Sequence, residues 1–399
     1  MKIAVLTSGI LPVPAVQGGA VENLIDFYLE YNNLHRLHDI TVYSVWHPDV
    51  ESHIALKSEV NHYRYIDTSS TFAKIRRKIY KAIHPHEYYN HYIEFFFEQA
   101  YLNIKKEHYD YIIMENRPGY VYKLSRRGLS NLILHLHNDL LNNDTPYSYD
   151  IYNNLKRIIT VSNYIKQRAE TISPVCPILN NKVVTVYNGI NLDHFKKKKY
   201  STITREDVGF SNNDFVLVYS GRLNKDKGIS QLIDAMLLLK DLPQIKLMIL
   251  GSTFFGNVTN ENSFVHTLKE KAQPINERLL FTGFVPYEHI PEYLQLADVA
   301  IIPSVWPEPF GLTVAESQAM GLPTITTRQG GIAEIVSEEN AVIVSAEQNL
   351  ECHLADAIRQ LFNSPQQRAY MASAALRNSR HYDKEHYSQE FFETIESIS

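Results

Sequence analysis

Two glutamates separated by seven residues form the pair in this sequence that is best suited to ligand binding and catalysis. Glu308 and Glu316 bracket the stretch 309–315, which contains a Phe-Gly-Leu turn. The pattern predicts a helix beginning near Leu312, so that Glu316 lies one turn inside it and Glu308 lies before it. Carboxylates accept hydrogen bonds from a diol such as a ribose, and free backbone N–H groups at residues 310–313 can bind a phosphate or a sugar hydroxyl. The alternative is a Pro-Gly loop carrying two solvated acids.

Basic residues form a second candidate site behind a predicted buried strand, 216–220. Gly221 and Arg222 follow that strand directly, and Lys227 comes five residues after Arg222. Arg and Lys at this spacing can converge on a pyrophosphate, where both positive charges stabilise a developing leaving-group anion. A basic, solvated loop is the alternative interpretation.

Glycines and histidines mark a third set of candidates in the first half. Gly18 and Gly19 separate the first predicted strand from an amphipathic helix, where glycine lets the backbone approach a ligand. His135 and His137 end another predicted strand, and alternation places both side chains on one face, with His137 at the carboxyl end. Two histidines could ligate a metal, but no third ligand or glutamate partner stands at the usual spacing. A structural histidine and an ordinary Gly-Gly loop remain alternatives.

The elements that must position these residues alternate short apolar runs with helical patterns, which indicates parallel sheets with crossover helices. The predicted strands are Lys2–Leu6, Asp39–Val45, Tyr111–Met114, Leu132–His135, Ile158–Thr160, Val183–Val186, Val216–Ser220, Lys246–Leu250, Leu279–Thr282, Val299–Pro303, Thr324–Thr326 and Ala341–Val344. The predicted helices are Val21–Tyr31, Tyr88–Lys106, Ile229–Lys240, Ser263–Lys271, Ile290–Leu296, Thr313–Met320 and Leu350–Phe362.

A boundary between two similar α/β domains is predicted near residue 195. The Asn188-Gly189 turn is followed by four consecutive lysines, Lys196–Lys199, which are typical of a solvated linker. Because such sheets bind ligands at the carboxyl ends of their strands, two facing domains predict a cleft between them.

Composition narrows the class of protein further. The 399 residues are 44% hydrophobic and 21% charged with a net charge of −5, which excludes wholesale disorder and any global attraction for nucleic acid. The two cysteines, Cys176 and Cys352, are too few for a disulfide framework and favour a reducing, cytosolic compartment. The run Ile3–Leu6 is too short for a signal-peptide core and is predicted to be a buried strand.

Taken in chain order, these residues resemble the retaining GT-B glycosyltransferases of family 4, of the glycosyltransferase group 1 type. The resemblance covers nearly the whole chain, is strongest in the second half, and is looser between Trp46 and Leu132, where such enzymes differ according to acceptor. The residues that carry it are Gly18-Gly19, His137, Val161-Ser162, Asn188-Gly189-Ile190, Gly221-Arg222, Lys227-Gly228, Glu308 with Glu316, and Gly330-Gly331-Ile332-Ala333-Glu334.

The resemblance implies a GT-B fold, an α/β architecture of two Rossmann-like doubly wound parallel-sheet domains facing across a cleft. Residues 1–194 would form the acceptor-side domain, and residues 195–379 would bind the nucleotide-sugar. The C-terminal helix, about 380–399, would cross back onto the first domain through the residues around 388–398.

The resemblance also implies roles for individual residues. Arg222 and Lys227 would bind the diphosphate, and Glu316 would hold the ribose. Glu308 would hold the donor sugar's hydroxyls together with the backbone of the Phe-Gly-Leu turn. Catalytic residues are therefore expected at Arg222, Lys227, Glu308 and His137, and donor-binding residues at Gly18, Gly19, Gly221, Phe310, Gly311, Leu312 and Glu316. No metal and no other cofactor is implied, because the cationic pair takes that role.

The implied reaction is transfer of a sugar from a nucleoside-diphosphate-sugar to a hydroxyl of a glycan or lipid-linked glycan, with the anomeric configuration retained. A UDP-sugar is favoured as donor and a GDP-sugar comes next, and bacterial lipopolysaccharide or capsule assembly suits the family. Alternatives are a nucleotide-sugar epimerase of the same fold, a phosphorylase, or an inactive nucleotide-sugar binder. The complete double-glutamate pattern weighs against the epimerase, and the intact charged residues weigh against inactivity.

The basic segment 74–83 bears on where the acceptor lies. On a helix, Ile75, Ile79 and Ile83 form one stripe, flanked by Arg76, Arg77, Lys78 and Lys81. This pattern suits peripheral contact with an anionic membrane, at the inner face of the cell membrane for a cytoplasmic protein. The alternative is an ordinary solvated helix that packs its isoleucines against the core.

Overall fold

The computed structural model describes residues 1–83, 91–172, 181–199, 202–252 and 263–398. Cys176 and the first residues of the helix predicted at 88–106 lie outside these ranges. The chain divides into two compact units, one formed by Met1–Tyr187 with Glu385–Ser399 and the other by Asn188–Lys384. The division falls before the lysine run that marks the predicted linker.

The first unit is built on a seven-stranded parallel sheet with the order β3-β2-β1-β4-β5-β6-β7. Its central strands are buried apolar runs, as a sheet covered by helices on both faces requires. The strands are β1 (Lys2–Leu6), β2 (Asp39–Val45), β3 (Asn61–Ile66), β4 (Tyr111–Glu115), β5 (Leu132–Leu136), β6 (Leu155–Thr160) and β7 (Val183–Thr185).

The helices of the first unit include the last helix of the chain. The aromatic ring of Phe391 on that helix stacks on Tyr28 with centroids 4.3 Å apart, and Phe392 and Ile395 are buried in the same core. The helices are α1 (Ala20–His35), α2 (Thr71–Ile83), α3 (His91–Ile104), α4 (Pro118–Arg126), α5 (Ser148–Asn154), α6 (Asn163–Glu170) and α14 (Lys384–Glu396).

The second unit repeats the architecture with six parallel strands in the order β10-β9-β8-β11-β12-β13. The strands are β8 (Phe215–Ser220), β9 (Ile245–Leu250), β10 (Leu279–Gly283), β11 (Val299–Ile302), β12 (Thr324–Thr327) and β13 (Ala341–Val344). The helices are α7 (Ile229–Leu238), α8 (Ser263–Ala272), α9 (Ile290–Leu294), α10 (Leu312–Ala319), α11 (Ile332–Ile335), α12 (Leu350–Asn363) and α13 (Pro365–Ser379).

Both sheets reverse their strand order at one point, which confirms the predicted pair of doubly wound parallel sheets. The reversal lies between β1 and β4 in the first unit and between β8 and β11 in the second. Ligands of such sheets bind beyond the carboxyl ends of the strands at this switch point. In the part of the chain that the structure describes, no helix is long and apolar enough to cross a lipid bilayer.

Candidate functional site

In the second unit, the candidate residues follow three neighbouring strands. The Arg222 and Lys227 loop comes after β8, the Glu308 loop comes after β11, and Gly330 and Gly331 come after β12. Since parallel neighbours end at one edge of the sheet, residues far apart in sequence meet there. The site in this unit is therefore a product of strand order and not of local spacing.

An ion pair joins two of these loops directly. The Lys227 ammonium nitrogen lies 2.5 Å from Glu308 Oε1, and the hydroxyl of Ser304 donates to the same oxygen at 2.6 Å. Ser304 is fully buried, and the Glu308 side chain is only 10% exposed. The amide of Lys227 is itself held by the side-chain oxygen of Asn224. The carboxylate is thus fixed in place, and Lys227 is already neutralised in the free protein.

Glycines allow the loops to approach this closely. A Cβ on Gly228, which has φ +68°, would lie 1.9 Å from the carbonyl oxygen of Pro303. A Cβ on Gly330, with φ +60°, would lie 2.3 Å from the carbonyl oxygen of Glu308, and the two residues form an isolated parallel bridge. Side chains at either position would separate the loops that bring Lys227 and Glu308 together.

We expect Gly228→Ala to be destabilising beyond the cost of its backbone conformation. Gly209 has a similar φ of +80° but open space around its Cβ position, so Gly209→Ala is the matched control. The left-handed conformation alone costs about 1–2 kcal/mol, and overpacking against Pro303 adds about 1–3 kcal/mol. Thermal unfolding should therefore show a clearly larger loss of Tm for Gly228→Ala. Equal losses in the two variants would contradict the close-contact explanation.

Glu316 lies in a separate environment from Glu308. It is buried on α10, and its carboxyl group is hydrogen-bonded to the hydroxyl of Tyr287. Burial raises the pKa of Glu316 to about 8, and the Tyr287 hydrogen bond offsets only part of that effect. His194 holds Tyr287 in turn. The two rings stack, and Nε2 of His194 lies 3.1 Å from the carbonyl oxygen of Tyr287. Sequence reasoning missed Tyr287 as a partner of Glu316.

The start of α10 follows the sequence prediction closely. The helix begins at Leu312, and Gly311 precedes it at φ +107° and has no side chain to cap it. Phe310 is 2% exposed and its ring packs edge-on against Tyr382, so its side chain belongs to the core of the second unit. A buried aromatic side chain therefore anchors the turn that precedes α10.

Arg222 is placed differently from Lys227. Its side chain is exposed, its carbonyl accepts a hydrogen bond from Tyr219 at 2.8 Å, and its guanidinium has no ion-pair partner among the residues described. The neighbouring Gly221 is approached by Gly251, where a Cβ would lie 2.0 Å from the Gly221 carbonyl oxygen. The structure thus brings Lys227 and Glu308 together, whereas Arg222 is held by its backbone and its guanidinium has no ion pair within the described part of the chain.

In the first unit, the Gly18-Gly19 turn leads into α1 as predicted. Gly19 has φ +111°, and a Cβ there would lie 2.2 Å from the carboxylate of Glu22. Burial raises the pKa of Glu22 to about 7, and the negative charge of Glu115 contributes to that shift. A second buried carboxylate that sequence reasoning missed therefore lies directly beneath the glycine turn.

His137 has a glutamate partner, contrary to the expectation from sequence. Its Nε2 lies 2.8 Å from Oε2 of Glu115, and His135 Nδ1 lies 3.1 Å from the same oxygen. Glu115 is the last residue of β4 and pairs with His135 of β5, so sheet register supplies the partner that sequence spacing did not reveal. The one sign of this contact in the sequence is that Glu115 ends an apolar strand next to the strand of His135.

The three side chains have the donor types of a metal site, and their ligand atoms lie within 4.8 Å of one another. Tyr28, however, donates to Oε1 of Glu115 at 3.0 Å, and His137 contacts Oε2, so both carboxylate oxygens already have partners. Direct hydrogen bonding accounts for the arrangement of Glu115, and a metal ion would have to displace it.

Protonation in this cluster follows from burial and charge. Burial and the neighbouring His135 together lower the pKa of His137 to about 4, although Glu115 opposes the shift. Burial works against ionisation of Glu115, but the two histidines outweigh it and hold its pKa at about 2. At neutral pH the stable combination is therefore an ionised Glu115 and a neutral His137.

Two doubly wound sheets with candidate residues at their strand ends define the GT-B class of fold. The solved structure of Anabaena HepE, in complex with UDP and glucose, is similar to this chain with a TM-score of 0.74 and 21% identity, covering all of both chains. At that identity the similarity shows the fold alone.

Sequence comparison relates the second unit to a known family. Residues 201–378 match the family model of glycosyl transferases group 1. The putative glycosyltransferase YtcC of Bacillus subtilis is 29% identical over 374 residues, covering 91% of this chain and 83% of that protein. The lipopolysaccharide 1,2-N-acetylglucosaminetransferase of Salmonella typhimurium is 25% identical over 246 residues, covering 60% of this chain and 61% of that protein.

Proposed function

We propose that the protein transfers a sugar from a nucleoside-diphosphate-sugar to a hydroxyl of a glycan or lipid-linked glycan, with the anomeric configuration retained. The observation that carries the proposal is the meeting of Lys227 and Glu308 at the switch point of the second sheet, beside the Gly311 turn that precedes α10. A cation for a diphosphate, a fixed carboxylate for sugar hydroxyls and backbone N–H groups at the start of a helix are the parts that this transfer needs.

The nucleotide is assigned to the second unit. Arg222 and Lys227 would neutralise the diphosphate as the glycosidic bond breaks, and Glu316 would accept hydrogen bonds from the ribose. Binding a diphosphate requires Lys227 to share its charge between Glu308 and the phosphate, whereas Arg222 is available at once. These two cations would do this without a divalent ion, so turnover is expected to survive EDTA.

Retention of configuration constrains the chemistry of the sugar. The acceptor hydroxyl would attack from the face that the diphosphate leaves, and the departing phosphate oxygen would take the hydroxyl proton. Catalysis then rests on positioning and on charge stabilisation of the leaving group. In the first unit, Gly18, Gly19 and His137 are the residues proposed to contact the donor.

A UDP-sugar is the favoured donor and a GDP-sugar the next. The complex of HepE with UDP and glucose supports the uridine nucleotide, and the Salmonella relative, which by its name acts on lipopolysaccharide, supports a glycan acceptor of the bacterial surface.

A thermal-shift screen of UDP-, GDP- and ADP-sugars identifies the donor, because a ligand that binds the native state raises Tm. Diphosphate release should then depend on an added glycan acceptor. Acceptor-independent conversion of the donor would favour the epimerase, and dependence on inorganic phosphate would favour the phosphorylase.

Helix α2 supports a lipid-linked acceptor. Phe72, Ile75 and Ile79 share one face of the helix and are 60%, 52% and 55% exposed. The interpretation that Ile75 and Ile79 pack against the core is therefore wrong. The side chains of Arg77, Lys81 and Ile83 lie outside the described part of the structure.

The charges of α2 favour an anionic bilayer as the surface that this face would contact. The helix has five basic residues and no acidic one between 71 and 83, in a chain whose net charge is −5. Lys74, Arg76 and Lys78 are exposed beside the apolar face. An apolar face flanked by cations is the pattern of a helix that lies in the headgroup region of an anionic membrane.

Removing four of these charges is expected to release the protein from anionic vesicles. Each Lys or Arg near the surface contributes about 1 kcal/mol, so changing Arg76, Arg77, Lys78 and Lys81 to Gln should weaken binding at least about tenfold at low salt. Changing Lys196–Lys199 to Gln removes the same charge elsewhere and is the matched control. Co-sedimentation with vesicles containing phosphatidylglycerol measures the effect, and vesicles of phosphatidylcholine alone set the background. Equal losses for the two variants would contradict a specific role of α2.

A further inference from the structure

Glu115 is a buried carboxylate at the switch point of the first sheet. It ends β4 and is fully buried, with Tyr28 facing one carboxylate oxygen and both His135 and His137 facing the other. The Tyr28 hydroxyl donates to Oε1 at 3.0 Å, and His137 Nε2 lies 2.8 Å from Oε2. An ionised carboxylate can only accept hydrogen bonds, so the His137 contact requires the hydrogen on Nε2. One of the two ring nitrogens of His137 is thereby committed to Glu115.

The other ring nitrogen of His137 is left as an acceptor. Nδ1 is buried and has no hydrogen-bond partner among the residues that the structure describes. Leaving such an atom unsatisfied costs free energy, so it is retained in a folded protein where a ligand can use it. A neutral imidazole with hydrogen on Nε2 presents at Nδ1 a lone pair that accepts from a hydroxyl.

The backbone around His137 is held by the residue next to Glu115. The Asn116 side-chain oxygen accepts from the His137 amide at 3.1 Å, and the Asn116 amide donates to the His135 carbonyl at 2.8 Å. Asn116 adopts φ +58°, a left-handed conformation that Asn tolerates better than most residues. Glu115 and Asn116 therefore fix the side chain and the main chain of His137 together.

We propose that Glu115 is a positioning residue that holds His137 in the form protonated on Nε2 and so keeps Nδ1 as the acceptor for a substrate hydroxyl. The inference rests on the proposed function for the identity of that hydroxyl, which belongs to the sugar being transferred. A carboxylate that orients a catalytic imidazole acts on the reaction through the tautomer and ring orientation of the histidine. Glu115 itself touches no substrate.

Nitrogen-15 NMR of the histidine-labelled protein tests the tautomer directly, with His137→Gln used to assign the signal. The wild type is expected to show hydrogen on Nε2 of His137, and Glu115→Gln to shift the ring toward the Nδ1–H form. Loss of the orienting partner should lower kcat about 10–100-fold while affinity for nucleoside diphosphate, which the second unit binds, stays unchanged. Tyr28→Phe is the matched control, because it removes the other hydrogen bond and keeps the Glu115–His137 contact. It should keep the wild-type tautomer and most of the turnover.

Three results would overturn the proposal. These are an Nδ1–H tautomer in the wild type, an unchanged tautomer with turnover within twofold in Glu115→Gln, or a stoichiometric divalent metal that replaces the Nε2 hydrogen. If Glu115→Gln does not fold, the wild-type spectrum alone still tests the proposal, because it shows which nitrogen of His137 carries the hydrogen. The spectrum needs no turnover, so absence of transferase activity in the wild type would refute the proposed function and leave the tautomer result standing.

Discussion

Arg222→Ala and Lys227→Ala are each expected to lower kcat/KM about 10²–10³-fold, the range for losing one preorganised charge that stabilises a leaving group. The two variants differ in what they disturb. Lys227→Ala also leaves Glu308 without its ion-pair partner, whereas Arg222 has an exposed guanidinium with no ion pair among the described residues. Arg222→Ala therefore isolates the effect on the diphosphate.

Lys225→Ala is the matched control for this pair. Lys225 lies in the same short turn, Lys225–Lys227, and is exposed, yet it contacts neither Glu308 nor Ser304 within the described structure. Steady-state kinetics with a saturating acceptor should show near-normal turnover for Lys225→Ala. Near-normal turnover of both Arg222→Ala and Lys227→Ala would mean that these cations do not bind the diphosphate.

Substitutions of Glu316 and Glu308 are expected to weaken the binding of different ligands. At pH 9, where its carboxyl group is ionised, Glu316→Gln should weaken binding of the free nucleoside diphosphate about tenfold or more, because a charge-assisted hydrogen bond to a hydroxyl contributes about 1.5–3 kcal/mol. Glu308→Gln should spare the free nucleotide and weaken only the sugar-bearing donor, since Glu308 is assigned to the sugar. It also releases Lys227 from its ion pair, which favours diphosphate binding.

The pH dependence of nucleotide affinity tests the Glu316 assignment independently. The pKa of Glu316 is raised to about 8, so its carboxyl group is largely protonated at pH 7 and ionised at pH 9. Only the ionised form accepts from both ribose hydroxyls, so wild-type affinity should rise across that interval and the rise should vanish in Glu316→Gln. Calorimetry with diphosphate alone and with intact donor measures both effects, with the exposed Glu338→Gln as control. Equal losses for both ligands in both variants would mean that the roles are misassigned.

Much of the fold could be predicted because the central strands are buried apolar runs. β1, β2 and β13 begin and end where the sequence pattern predicts. β3 was missed because Asn61–Ile66 is an edge strand with only its end residues buried, and it carries no apolar run. Patterns of hydrophobicity detect strands covered on both faces better than strands at an edge.

The partners of the candidate residues could not be predicted from the sequence. Glu115 reaches His137 through the pairing of β4 with β5, Ser304 reaches Glu308 from the end of β11, and Tyr287 reaches Glu316 from outside α10. Such contacts depend on sheet register and loop conformation, which have no local spacing to reveal them. The exposure of Ile75 and Ile79 likewise depends on how α2 packs, and not on its helical period.

The stereochemistry of transfer tests the central claim most directly. Proton NMR of a running reaction between an α-linked UDP-sugar and a glycan acceptor follows the anomeric protons of donor and product. We predict an acceptor-dependent new anomeric signal with the small coupling of an α-linkage, formed as the donor signal declines and UDP accumulates. A product with the large coupling of a β-linkage would contradict retention. Loss of the donor with no acceptor-linked product would contradict the assignment as a glycosyltransferase of this kind.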